Sequence, residues 1–474
     1  MQKVRWKVTT SLSILVVSLL LVGCDSTNMN NNISENMKNK GQHAYEETNV
    51  NNEELLQPAS IQKGRLTAYY GDITENRVLG IDVKNMALIG DISTEGVKPY
   101  TIGRADGANG TLNKLYTMTR KSPWIEKIDL KTNELLGKID LAHTPRSCAY
   151  NEVLDLQLVS GVDKPMSSLI EPKTDKVVSS VGRNTQVNPI DFGGSNATGH
   201  PVWLTSDTFA ILDREVRKVE VYKVTKNGNT WLTTHVSSLD TPTSIHHFIG
   251  KGVDGMNGGI TLNDEETDTF YAVAEGSAID DIAPAILKLK LNNHTLSIVG
   301  SVSFDEKATH TAHKHGKKRR HFETVEEVTG GHHATFHPNG KHIYVGSSSG
   351  SLIVINSKNM DKVREITTGE GSGHTTFVPQ RNLAIVTNHN ANFISIIDSS
   401  HHKKIKDLNV SGVSINDIIM QSHTSFADAQ GDFFYAFASN NGFFYEVDLN
   451  TLKVTRTLNT GGTPVQGCFT YLNN

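Results

Sequence analysis

His333, His374 and His423 each stand three residues ahead of a phenylalanine, Phe336, Phe377 and Phe426, and each opens a stretch of the same pattern. His200 precedes Trp203 at the same interval, His246-His247 stand just ahead of another apolar run, and Cys468 precedes Tyr471. Neutral imidazole and thiolate are good ligands for Zn(II) and copper, whereas a hard ion such as Mg(II) prefers oxygen. His200, His246, His247, His333, His374, His423 and Cys468 are therefore candidate metal ligands. They are scattered over more than half the chain, so their chemistry depends on a scaffold that brings equivalent positions of successive segments together.

The repeat supplies that scaffold. From Gly331-His332-His333 the chain runs through a Pro338-Asn339-Gly340 turn to Ile343-Tyr344-Val345, then to Leu352-Ile353-Val354-Ile355, and closes at Lys362–Ile366. The same order follows Gly373-His374 and again follows His423, with starting histidines 41 and 49 residues apart. Short β-branched runs between Gly, Asn and Asp turns predict four strands per unit. One such sheet cannot bury both its faces, and radial stacking of several can. More diverged copies are marked by Gly80-Ile81-Asp82, Lys127-Ile128-Asp129, Leu169-Ile170-Glu171, Val219-Glu220-Val221 and Leu287-Lys288-Leu289. The last unit has only a first strand, around Cys468, and the first unit lacks one. The expectation is an all-β chain forming a single β-propeller over 63–474, with eight blades, or seven if one diverged unit is misread. The C-terminal strand would complete the N-terminal blade. In this arrangement the aligned histidines meet at the mouth of the central channel.

His337-Pro338-Asn339-Gly340-Lys341 with Ile343-Tyr344-Val345, and Val386-Thr387-Asn388 with Ile396-Ile397-Asp398, resemble bacterial YVTN-type repeats and the related propellers of cytochrome d1 and nitrous-oxide reductase. The resemblance implies the fold and leaves the activity open, because propellers host unrelated functions. No Cys-x-x-Cys-His haem attachment pattern is present, so no haem is expected. A cupredoxin-type copper domain is missing as well, which departs from nitrous-oxide reductase. The Gly199-His200 and Gly373-His374 pairs also resemble the Gly-His of WD-type propellers, where the histidine bonds within its own blade. The Trp-Asp ending that accompanies such a histidine is absent here.

A second histidine group, His310, His313 and His315, lies in a polar insertion at 305–327 that also carries Lys317-Lys318-Arg319-Arg320. Its His-x-x-His-x-His spacing resembles the capture loops of periplasmic zinc-binding proteins. The neighbouring cations would repel a metal ion, so a basic docking loop for an anionic lipid or acidic partner is an equal alternative. His389, between Asn388 and Asn390, reads as a turn histidine or a weaker ligand.

At the N-terminus, Lys3, Arg5 and Lys7 precede an apolar run from Ser11 to Val22, the form of a secretory signal. Leu21-Val22-Gly23-Cys24 resembles the bacterial lipobox, which implies a signal peptide over 1–23, lipidation of Cys24 and an address on the outer side of a bacterial membrane, periplasmic or at the cell surface. The Asn-rich stretch 24–62 is too polar to offset its ordering entropy and is expected to be a flexible linker.

With 46 basic against 50 acidic residues, the chain shows no basic excess for nucleic acid. A phosphate loop and a His-Glu-x-x-His motif are both absent. Gly346-Ser347-Ser348-Ser349-Gly350 matches the hydrolase pattern but joins two strands, whereas a nucleophile elbow needs a strand running into a helix. No catalytic residues are assigned, and enzymatic activity is not expected from the motifs. The expected function is binding of zinc or copper as a chaperone or store. The alternatives are an interaction platform for an extracytoplasmic protein partner, with structural histidines, and a metal-dependent oxidoreductase.

Overall fold

The computed structural model describes residues 64–105, 112–188, 196–250, 267–277, 280–304, 309–310, 328–412 and 419–472. All belong to one compact unit, Pro58–Asn474. The signal peptide, Cys24 and the linker lie outside the described residues, as do His313 and His315. His310 is described only as backbone, in a short ribbon pairing Thr309–His310 with Val328–Thr329.

Eight four-stranded antiparallel sheets follow one another as blades. Blade 1 consists of Arg65–Asp72, Arg77–Asp82 and Ala87–Ser93, with the C-terminal strand Pro464–Leu472 added on its inner edge. The ring is therefore closed as expected, with eight blades. Blades 2 to 8 begin at their innermost strands with Pro99–Arg104, Pro145–Asn151, Val202–Thr205, Ile245–Gly250, Gly331–Phe336, Ser372–Val378 and Ser425–Ala427. No α-helix occurs among the described residues.

The burial pattern explains the strand sequences. Middle strands such as Leu383–Asn388 are buried along their whole length, because both faces pack on neighbouring blades. Outermost strands such as Lys403–Asn409 alternate between exposed and half-buried residues, and their lysines and Asp407 resist edge-to-edge pairing. Eight apolar clusters fill the eight interfaces between blades. Val273, Ile286, Ile343 and Ile353, for example, join blades 5 and 6, while Tyr70, Leu79, Phe437 and Phe444 join blade 1 to blade 8. Tyr70 also donates to the Thr424 carbonyl at 2.7 Å, so the closing interface has a polar clasp.

One irregularity recurs on the innermost strands and matters for the site. In blades 2, 3, 5, 6 and 7 the register with the second strand slips by one residue near the strand start. The slipped positions hold Tyr100, Arg146-Ser147, His246, His332-His333 and Gly373-His374. A bulge of this kind sets two residues against one and re-aims their side chains. Regular pleating would send His332 and His333 to opposite faces.

Candidate metal centre

Eight histidines meet at the inner ends of blades 4 to 8: His200, His246, His247, His332, His333, His374, His389 and His423. Six of them are the histidines singled out from the repeat. The rings form a continuous chain of contacts, with centroids 5.2 Å apart for His200–His246, 4.9 Å for His246–His333, 3.8 Å for His333–His374 and 4.1 Å for His389–His423. Most of these contacts cross from one blade to the next, unlike the within-blade bonding of WD-type histidines.

Two triads have ligand geometry. His200, His246 and His333 each offer one nitrogen, all within 4.8 Å of one another, and all three side chains are buried. His332, His389 and His423 do the same, with His332 and His423 only partly buried. A tetrahedral zinc holds its nitrogens about 3.4 Å apart, so at 4.8 Å each triad stands at most about 1.4 Å wider than that.

The backbone places these rings in identifiable ways. His200 N–H donates to the His246 carbonyl at 2.9 Å, stitching blade 4 to blade 5. His423 N–H donates to the Val465 carbonyl at 2.7 Å, stitching blade 8 to blade 1. His332 and His333 enter different triads from adjacent positions in the blade 6 bulge.

Partners on the far side of two rings fix their tautomers. His246 Nδ1 lies 3.2 Å from Glu275 Oε1, and the carboxylate is held in turn by Arg214 at 2.7 and 3.0 Å and by Ser244 at 2.5 Å. Burial alone would raise the Glu275 pKa, but Arg214 and His246 hold it well below the usual range. An ionised carboxylate only accepts, so the proton of His246 sits on Nδ1 and the lone pair on Nε2. Nε2 has no hydrogen-bond partner among the described residues. His389 Nδ1 likewise faces the Gln421 carbonyl at 3.0 Å, and its Nε2 is also buried without a partner. Outer hydrogen bonds of this sort are how proteins orient metal-ligating imidazoles.

Burial favours the neutral form in seven of these imidazoles. Burial holds His200, His332, His333, His374 and His423 well below their ordinary range, and neighbouring imidazoles push the same way. Burial lowers His389 to about 4 in spite of its carbonyl partner. In His246 burial also prevails, opposed by Glu275. Cations border the cluster, since Arg146 acts on His200 and Arg120 on His423.

The remaining sequence candidates resolve as follows. His374 lies between the triads, 3.8 Å from His333 and 5.5 Å from His423 by ring centroid. His247 packs on His333 and His200 without belonging to either triad. Cys468 is away from both. It pairs with Tyr69 and packs in the apolar interface of blades 1 and 2. The spacing to Tyr471 aligns it two residues out of register, because Phe469 is the aromatic that corresponds to Phe377, three residues after Gln466. Gln466 takes the corresponding place in the strand and accepts a hydrogen bond from the Thr101 hydroxyl of blade 2 at 3.0 Å. His332 was not among the sequence candidates because the repeat starts each unit at a single histidine, here His333, and the blade 6 bulge is what brings its neighbour into the cluster. The role of Glu275 has no sequence signal, since it follows a buried strand like many loop acids. His401 is exposed, whereas His402 is half-buried on the Tyr344 hydroxyl at 2.7 Å.

No protein-family model and no curated protein matches the sequence. Solved structures do match the fold. Dihydro-heme d1 dehydrogenase NirN, in complex with DHE, is 11% identical with a TM-score of 0.58 over 85% of this chain and 74% of its own. Apo AztD from Citrobacter koseri is 12% identical with a TM-score of 0.53 over 86% of this chain and 98% of its own. Sqt1 from Saccharomyces cerevisiae is 12% identical with a TM-score of 0.55 over 85% and 90%. The chain is thus an eight-bladed β-propeller similar in fold to NirN and AztD, with eight histidines gathered at its centre.

Proposed function

We propose that the protein binds a transition metal ion, zinc in the first instance, through His200, His246 and His333, and that it serves as a metal chaperone or store rather than an enzyme. The observation that supports this most directly is the Glu275–His246 pair. It leaves a buried Nε2 lone pair beside the nitrogens of His200 and His333. A purely structural histidine would be expected to use both ring nitrogens, because a buried polar atom without a partner is costly.

An all-imidazole donor set suits Zn(II) and Cu(II), and the position of Cys468 takes away the soft ligand that Cu(I) would favour. Three protein ligands leave a fourth position open. Arg146 beside His200 lowers affinity for a cation, which suits an ion that must be handed on. The N-terminal pattern ending in Cys24 supports a lipid-anchored protein on the outer side of a bacterial membrane, where such an ion would be collected.

The test is equilibrium dialysis of the full chain against Zn(II), compared with a His246→Ala/His333→Ala variant whose fold is checked by circular dichroism. Retention by the wild type and a large loss in the folded variant is expected. A wild type that retains no metal contradicts the proposal.

A further inference from the structure

Resting on that reading, we infer that the channel holds two metal ions in unequal triads, and that the partly exposed one, His332/His389/His423, loads and unloads the enclosed one, His200/His246/His333. Each triad is complete in itself and no ligand is shared. Their environments differ in the direction a relay needs. All members of the first triad are buried, whereas His332 and His423 of the second retain some exposure. An ion arriving from solvent therefore meets the second triad first.

The orienting groups differ as well. His246 is held by an ionised carboxylate, which raises the basicity of its Nε2, while His389 is held by the neutral Gln421 carbonyl. The enclosed triad is thus the tighter and the partly exposed triad the weaker. A path joins them. His332 and His333 are neighbours with ring centroids 4.3 Å apart, and each belongs to a different triad. His374 lies against His333 at 3.8 Å and within 5.5–5.6 Å of His423 and His389. Its Nε2 is buried without a hydrogen-bond partner among the described residues, so it has a lone pair to offer an ion in passage. Repulsion between two dications at this range also weakens both sites when both are filled, which favours release from the outer one.

The experiment is a Zn(II) titration of the full chain against a chromophoric chelator, with stopped-flow loading, for the wild type, His389→Ala and His246→Ala. The wild type is expected to bind two ions, the first at least tenfold tighter. His389→Ala keeps the tight ion at unchanged affinity but loads it at least tenfold more slowly. His246→Ala keeps only the weak ion. His423→Ala repeats the His389→Ala test on a second residue, should the latter fail to fold. A wild type that binds one ion, a His389→Ala variant that loads at the normal rate, or the loss of both ions in either variant overturns the two-site relay while leaving metal binding standing. Failure of the wild type to bind any zinc overturns both.

Discussion

A Cβ placed on Gly373 would stand 2.2 Å from the Nε2 of His389. The glycine of blade 7 is thus what allows the His389 ring to lie against the inner strand with its lone pair toward His332 and His423. Gly373→Ala is therefore expected to swing the ring out of the outer triad. Zinc titration should show the weaker ion weakened at least tenfold and the tighter ion unchanged. Overpacking should cost about 1–3 kcal/mol in urea unfolding. An unchanged weaker site would show that His389 is not a ligand.

The carboxylate behind His246 gives a complementary prediction. Glu275→Gln keeps the size and a hydrogen bond to the ring but removes the charge. Loss of such an orienting partner typically lowers metal affinity 10–100-fold, and the same drop is expected for the enclosed triad in competition titrations. Arg214, buried beside it, loses its counter-charge, so the melting temperature should fall as well. Zinc affinity equal to wild type would contradict the role given to Glu275.

Cys468→Ala should leave zinc stoichiometry and affinity as they are, because the thiol packs between blades 1 and 2. Atomic-emission analysis of the dialysed variant checks this. A lost ion would place the thiol in the site.

The protein should also be sensitive to acid in its metal-free form. His143, buried outside the cluster with Nε2 on Ser168 at 3.1 Å, is lowered by burial to about 4. Between pH 6.5 and 4 the unfolded chain takes up a proton that the folded chain refuses, so stability is intact above pH 6.5 and falls as pH drops through this window. The full effect for a shift of this size is about 3 kcal/mol. The penalty of His143→Gln in urea unfolding should accordingly be smaller at pH 4.5 than at pH 7. Equal penalties at both would contradict a neutral buried imidazole.

Much of the architecture was legible in the sequence. The third-strand signatures from Gly80 to Leu289 fall in the third strands of blades 1 to 5, and Cys468 does lie in the strand that closes the ring. Periodicity reports strands well because each blade repeats the same burial. The site was legible in part. His200, His246, His247, His333, His374 and His423 do meet, since equivalent positions in a radial repeat share one radius. His332 joins the cluster through the blade 6 bulge, which leaves no pattern that alternation can reveal, and Cys468 was aligned on Tyr471 where Phe469 is the matching aromatic. His389 starts no strand, and only the contact of blade 7 with the Gln421 carbonyl shows which way its ring is held.

The central claim is that imidazoles of several blades hold the metal, and X-ray absorption at the zinc edge of the zinc-loaded full chain tests it most directly. The account predicts a nitrogen shell at about 2.0–2.1 Å with imidazole back-scattering and no sulfur shell near about 2.3 Å. This spectrum should be lost in a folded variant that lacks ligands of both triads, His246→Ala/His333→Ala/His389→Ala/His423→Ala, examined at one zinc equivalent. A sulfur shell, an all-oxygen shell, or a spectrum that survives unchanged in the variant would contradict it.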